Sequence, residues 1–343
     1  MFFGVFIVCK RISWIDTARG LGLLAVFIGH LNAFYATAWV YTFHMPLFFF
    51  LSGLLYSGCK KYTFIQFAWR RFKSLVIPYF TLGTVIALFY CCVYAWHHEP
   101  ADTYFEMLRS FFIQEHYWTI WFLAALYLTQ LIYYGIDWCF HRWKYAVSVT
   151  SVIVCLFGLV RYRLGWGSLP WNLDVAFVAQ FFFHFGYWFM HNKRAYDSII
   201  KIKHKINRFS IVVFCFVVNL VASKVCMVYT AQSLDMSIGM YGNEVLTFIA
   251  AIAGIAIVIA VAPVVHSRFV TYLGQNTMIL FSWHSRIIIV ACSIIYAHFG
   301  LFQHTDFPNT ILRVIVTLLI ILLVLVPINE MIKRMPFHKA FGV

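Results

Sequence analysis

Ten apolar runs follow one another along the chain, at about 20–39, 42–58, 75–96, 118–136, 145–162, 174–191, 210–230, 244–265, 276–298 and 311–332, with polar residues gathered between them. Most approach the roughly 20 residues that an α-helix needs to cross a hydrocarbon core about 30 Å thick. A chain in lipid must satisfy its backbone internally, which helices do. The pattern therefore predicts an all-α integral membrane protein, a bundle of about ten transmembrane helices that takes up residues 1–343 as a single transmembrane domain. The run at 42–58 is short and follows the first after only a few residues, so these two are expected to form a tight helical hairpin.

Composition agrees. Of 343 residues, 63% are hydrophobic, 20% aromatic and only 11% charged, against about a quarter charged in a soluble domain. The formal net charge of +14 would suggest nucleic acid in a soluble chain. Here the simpler account is that basic residues collect in cytoplasmic loops, and no nucleic-acid partner is expected. The nine cysteines are scattered without a C-x-x-C, so neither a disulfide framework nor a metal site is indicated. Residues 1–9 are apolar but too short to span, and lack the basic region and cleavage site of a signal peptide.

Charge sets the orientation. With Lys10 and Arg11 inside, the cytoplasmic connections carry Lys60, Lys61, Arg70, Arg71 and Lys73, then Arg142 and Lys144, then Lys193, Arg194, Lys201, Lys203, Lys205 and Arg208, then Arg268. The tail adds Lys333, Arg334 and Lys339, while the opposite loops hold Glu99, Asp102, Glu106, Glu115, Asp235 and Asp306. One assignment satisfies the positive-inside rule throughout, and it places both termini in the cytoplasm. The outer loop at 97–117 is polar enough to meet a hydrophilic acceptor, whereas that at 163–173 reads as an aromatic interfacial belt with turn residues.

Ionisable residues within spans are costly and mark candidate function. The first run holds His30, and upstream of it lie Arg19 and Asp16. At 100° and 1.5 Å per residue, Arg19 and His30 share one face about 16 Å apart, and Asp16 is placed to pair with Arg19. His30 is expected near the bilayer centre, with the acid and cation at the cytoplasmic boundary.

Several segments resemble one family. Arg19, ten intervening residues and His30 are similar to the R-x10-H signature of acyltransferase family 3, the bacterial membrane O-acyltransferases. Phe43-His44-Met45-Pro46-Leu47-Phe48-Phe49-Phe50-Leu51-Ser52-Gly53 resembles its F-F-x-L-S-G motif, in the form of the branch related to fucose 4-O-acetylase. Arg70-Arg71-Phe72-Lys73-Ser74, ahead of Pro78-Tyr79, is similar to its basic segment, with Ser74 where the family usually has arginine. Trp118-Thr119-Ile120-Trp121-Phe122-Leu123 and Leu273-Gly274-Gln275-Asn276-Thr277, leading to His284, resemble two further motifs. The resemblance runs through the whole chain in order.

It implies transfer of an acyl group, usually acetyl, from acyl-CoA to a sugar hydroxyl at the bacterial inner membrane. A hydroxyl needs a base at neutral pH, and histidine suits that role; His30 is the expected base, assisted by Arg19 and Asp16. Arg19, Arg70, Arg71 and Lys73 are expected to hold the phosphates of the acetyl-CoA donor. His44, Ser52, Trp121 and His284 are candidate contacts for a carbohydrate acceptor, for which a lipid-linked form is one option, although Ser52 is also simply read as a packing residue. Donor enters from the cytoplasm and acceptor from the other leaflet; direct transfer is expected, with an acyl-histidine intermediate as the alternative. A polytopic transporter or exporter, with its buried Arg and His lining a pathway, is the competing class.

Overall fold

The computed structural model describes residues 12–114, 119–143, 145–202, 204–230, 235–302 and 306–343. The expectations for residues 1–9, Lys10, Arg11, Glu115, Trp118, Lys144 and Lys203 lie outside the described residues.

The described residues are helical almost throughout and contain no strand, only an isolated Asp235–Met240 bridge. In chain order the helices are α1 (Ser13–His30), α2 (Phe34–Tyr41), α3 (His44–Leu54), α4 (Gly58–Lys61), α5 (Phe64–Arg71), α6 (Ile77–Trp96), α7 (Ala101–Ile113), α8 (Trp121–Phe140) and α9 (Ala146–Arg163). They continue as α10 (Leu173–His191), α11 (Lys193–Ile200), α12 (Lys205–Thr230), α13 (Glu244–Val261), α14 (Arg268–Gln275), α15 (Thr277–Trp283), α16 (Val290–His298) and α17 (Phe307–Lys333). Two π-helical segments join neighbours, Phe72–Val76 between α5 and α6 and His284–Ile289 between α15 and α16. Pro78 accounts for the first. It has no N–H, and its ring crowds the carbonyl four residues back, at Ser74, inside the widened turn.

Seven helical stretches among the described residues are long and apolar enough to cross a membrane: Phe64–Trp96, Ala146–Arg163, Pro170–His191, Lys205–Thr230, Glu244–Val264, Thr277–His298 and Phe307–Lys333. Helices α1 and α8 have 18 and 20 residues but carry Asp16 and Arg19, or Gln130 and Asp137, which dilute their apolar character. The run at 20–39 is not one helix. Helix α1 begins seven residues earlier, at Ser13, and ends at His30, because Asn32 takes a left-handed backbone with φ 51°. Asparagine adopts that conformation more readily than most residues and ends helices in this way. The chain then reverses, and α2 and the 11-residue α3 return alongside α1 with a break at Thr42–Phe43. A hairpin forms as expected, but its turn falls at 31–33 rather than near residue 40.

Glycines let backbones touch. A Cβ on Gly20 would strike the Val270 carbonyl, and one on Gly274 would strike that of Asp16, so α1 and α14 meet backbone to backbone. Gly53 and Gly186 do the same for α3 and α10, against the carbonyls of Phe183 and Phe50. Small residues at membrane helix interfaces work by this close approach. Polar side chains add specific ties. Buried Asn219 of α12 donates to the Ala250 carbonyl at 2.6 Å and to Thr42 Oγ1 at 3.0 Å. Arg208, read from the sequence as a topology determinant, also donates to the carbonyls of Ile202 (2.8 Å) and Ala260 (2.5 Å), clamping the start of α12 to the end of α13.

Replacing Gly274 with valine should force α14 off α1 and cost about 1–3 kcal/mol, the usual penalty of overpacking. Gly135→Ala, which meets nothing within 4 Å, should be neutral. Thermal unfolding in detergent reads both, and equal melting temperatures for the two variants would contradict the contact.

Candidate active site

The end of α1 opens into a cavity of about 310 Å³, with half-buried His30 in its wall. Helix α1 stops at His30, so the histidine lies at the end of its helix. The α2–α3 hairpin contributes Tyr41 and His44, and α8 contributes Trp121. The loop between α12 and α13 brings Asp235 and Ser237, and the second π segment brings Ser285 and Arg286. Thr119, just ahead of α8, adds a buried hydroxyl without a hydrogen-bond partner among the described residues.

Three histidines converge here. His284 is fully buried, and its ring stands edge-on to that of His30 with centroids 4.8 Å apart. Buried His44 packs on Tyr41 at 4.9 Å, and Tyr41 in turn lies 6.2 Å from His30. All three rings are tied to backbone in one manner. His30 Nδ1 lies 2.9 Å from the Val26 carbonyl, His44 Nδ1 2.8 Å from that of Val40, and His284 Nδ1 2.7 Å from that of Phe281. A carbonyl only accepts, so each Nδ1 carries the hydrogen and donates it. The neutral ring then has its lone pair on Nε2, the atom a base uses. Among the described residues the buried Nε2 of His284 has no hydrogen-bond partner.

The opposite wall is polar and held in shape. Asp235 Oδ1 accepts from Ser237 N at 2.9 Å and from Ser237 Oγ at 2.5 Å, while its backbone pairs in both directions with Met240 at 2.9 Å. Arg286 Nη1 donates to Tyr90 Oη at 3.4 Å. π-Helical turns recur at functional sites because the extra residue re-aims side chains; here one such turn begins with His284 and carries Ser285 and Arg286 into the cavity wall.

The remaining sequence candidates sit elsewhere. Arg19 pairs with Asp16 at 3.8 Å as expected, and buried Asp16 also accepts from Gln275 Nε2 at 3.2 Å. This pair belongs to the α1–α14 junction, eleven residues and about 16 Å along an unbroken helix from His30. The guanidinium of Arg70 lies over Tyr62 (4.6 Å), that of Arg71 over Phe67 (5.3 Å), and the Lys73 ammonium over Trp69 (5.6 Å). These cations lie on α5 and the first π segment, which pack on α8. Ser52 returns its hydroxyl to the Phe48 carbonyl at 2.8 Å and is not among the residues lining the His30 cavity. His30, His44, Trp121 and His284 are thus brought together; Asp16, Arg19, Ser52 and the loop cations are not part of that cluster.

Sequence reasoning did not pick out Tyr41, Thr119, Asp235, Ser237 or Arg286 for this site. Asp235 was visible only as an outer-loop acid and Arg286 only as a neighbour of His284. Their convergence spans more than 240 residues of chain, which no local spacing records.

The family model described as an acyltransferase domain matches residues 12–329, and the chain belongs to acyltransferase family 3. It is a multi-pass membrane acyltransferase. The nodulation protein NolL of Mesorhizobium japonicum is similar to it, 26% identical over 78% of this chain and 74% of the relative. No solved structure matches the chain.

Nitrogen NMR of histidine-labelled protein should show His30 as the neutral tautomer with hydrogen on Nδ1 and an unprotonated Nε2. The opposite tautomer would contradict the bond to Val26 and remove the free lone pair.

Proposed function

We propose that the protein is an O-acyltransferase that moves an acyl group, acetyl in the first instance, from acyl-CoA to a hydroxyl of a carbohydrate or glycan. The observation that carries this is His30, its Nδ1 spent on backbone and its ring set in a cavity lined by carboxylate, hydroxyl and aromatic groups. Such a lining suits a ligand rich in hydroxyls.

The chemistry balances on this chain's own groups. His30 Nε2 takes the proton of the acceptor hydroxyl as its oxygen attacks the thioester carbonyl. The new C–O bond forms, the C–S bond breaks, and the departing thiolate takes the proton from the imidazolium to leave as CoA thiol. Asp235, fixed by Ser237, is suited to accept a neighbouring sugar hydroxyl, and Trp121 offers an apolar ring. His284 Nε2, unpartnered beside His30, is a second acceptor for the same substrate. Arg19, and beyond it Arg70, Arg71 and Lys73, hold the donor's phosphates at the cytoplasmic side.

In this reading residues 1–343 form one transmembrane domain in a bacterial inner membrane. Ten crossings follow if α1, the broken α2–α3 pair and α8 each cross beside the seven apolar stretches, and the basic connections then all face the cytoplasm with both termini. Acceptor approaches from the opposite side, where the Asp235 loop lies, and a lipid-linked acceptor suits that setting. Transport, the other class raised by buried Arg and His, leaves the family membership unexplained.

Release of CoA thiol from acetyl-CoA by purified protein with a panel of sugar acceptors tests this. Wild type should release thiol only with an acceptor, and His30→Ala should be slower by about 10²–10⁴-fold, the usual worth of a general base. Arg19→Ala should raise the donor KM about tenfold for the loss of charged hydrogen bonds. Full activity in His30→Ala would remove the base, and an unchanged donor KM would remove the phosphate role of Arg19.

A further inference from the structure

A second cavity, of about 480 Å³, lies between α6, α7 and the second π segment. Arg286 lines it and also lines the His30 cavity, so the two spaces share that residue. We infer that the acceptor is a glycan of at least two sugar units held across both cavities, with the unit to be acylated beside His30 and the adjoining unit between α6 and α7. The inference rests on the transferase reading above and adds a second subsite and a preference for length.

Three observations carry it. The first is the chemistry of the second wall. Asp102 and Glu106 stand one turn apart on α7, where i and i+4 positions share a face. Tyr90 and Tyr94 come from α6, with ring centroids 5.6 Å apart, and Ser110 adds a hydroxyl. Carboxylates accept hydroxyl hydrogens, aromatic rings cover the apolar face of a sugar, and a guanidinium donates to ring or linkage oxygens. Glu106 also pairs with Arg109 at 3.7 Å.

The second is how α7 is held. Met107 and Phe111 are buried, and Tyr79 Oη bonds both the Phe111 carbonyl and the Gln114 side chain beyond the helix end. The helix is therefore anchored by its inner face while Asp102 and Glu106 face the cavity. The third lies in the first cavity. Among the described residues the buried Thr119 hydroxyl has no hydrogen-bond partner, although an orphaned buried hydroxyl is costly. A polar ligand would satisfy it. Thr119 and Trp121 follow α7 along the chain, so the connection leaving α6 supplies groups to both cavities. Each cavity alone lies in the lower half of the about 300–1000 Å³ usual for ligand sites, which suits one unit in each better than a single large ligand in either.

The test uses purified full-length protein in detergent with radiolabelled acetyl-CoA. Glycans released by mild acid from the source cells are separated by size into single sugars, disaccharides and longer chains. In wild type, kcat/KM for disaccharides should exceed that for single sugars by about tenfold or more, the worth of one or two hydrogen bonds to charged groups. In Asp102→Asn/Glu106→Gln, which keeps size and hydrogen-bonding capacity but removes charge, that ratio should fall toward one. Equal use of single sugars and disaccharides by wild type overturns the subsite while leaving the transferase intact, as does a length preference that survives in the double variant. Labelling of no fraction by wild type overturns the glycan acyltransferase reading and this inference with it.

Discussion

At Gly20 and Gly274 the backbones of α1 and α14 lie so close that neither position has room for a methyl group. This contact sets the register of the two segments that carry the central histidines. Gly20 precedes His30 by ten residues, and Gly274 precedes His284 by ten. Helix α1 then meets α14, α15 and the following π segment in turn, and the two rings arrive at one level, 4.8 Å apart. Around the contact, the Thr17 and Thr271 hydroxyls lie 3.2 Å apart and Gln275 donates to Asp16 at 3.2 Å. The position of Arg19 follows, since Asp16 is fixed on one side by α14 and pairs with Arg19 on the other.

The same economy governs the three histidines. An imidazole taken from water must satisfy its N–H, and each uses a carbonyl of its own preceding turn. That local bond decides the tautomer and turns every Nε2 away from the helix backbone. A residue costly to bury thereby keeps one defined ring nitrogen, Nε2, for other contacts. The polar groups facing His30 come from other segments, and the loop holding Asp235 is stiffened by its own side-chain and backbone hydrogen bonds.

Much of the site was legible because ionisable residues in apolar runs stand out. His30 was named from that contrast and His44 and His284 from motifs of the family resemblance, and the three share one cluster. What the apolar pattern missed has physical causes. The first half of α1 is polar in sequence yet buried, because α14 satisfies Asp16 and Thr17, so the run was read as starting seven residues late. The turn at Asn32 was hidden within a run of high apolarity, although asparagine is itself a helix-ending signal. Helix α8 was expected at 118–136 and forms at Trp121–Phe140, since Asp137, near its end, is buried and accepts from Tyr56 Oη at 3.0 Å. The outer loop at 97–117 was read as an acceptor contact from its polarity, and α7 supplies the amphipathic helix that polarity could not distinguish from an irregular loop. Asp235 and Arg286 became site residues only when distant loops met.

The central claim is that His30 acts as the base for direct transfer of an acyl group from a cytoplasmic donor to an acceptor on the other face. Sealed inside-out membrane vesicles, with labelled acetyl-CoA supplied outside and a glycan acceptor trapped within, measure this directly. The account predicts labelled glycan inside intact vesicles, and none when His30 is alanine. Label that appears on the glycan only after the vesicles are made permeable would contradict it.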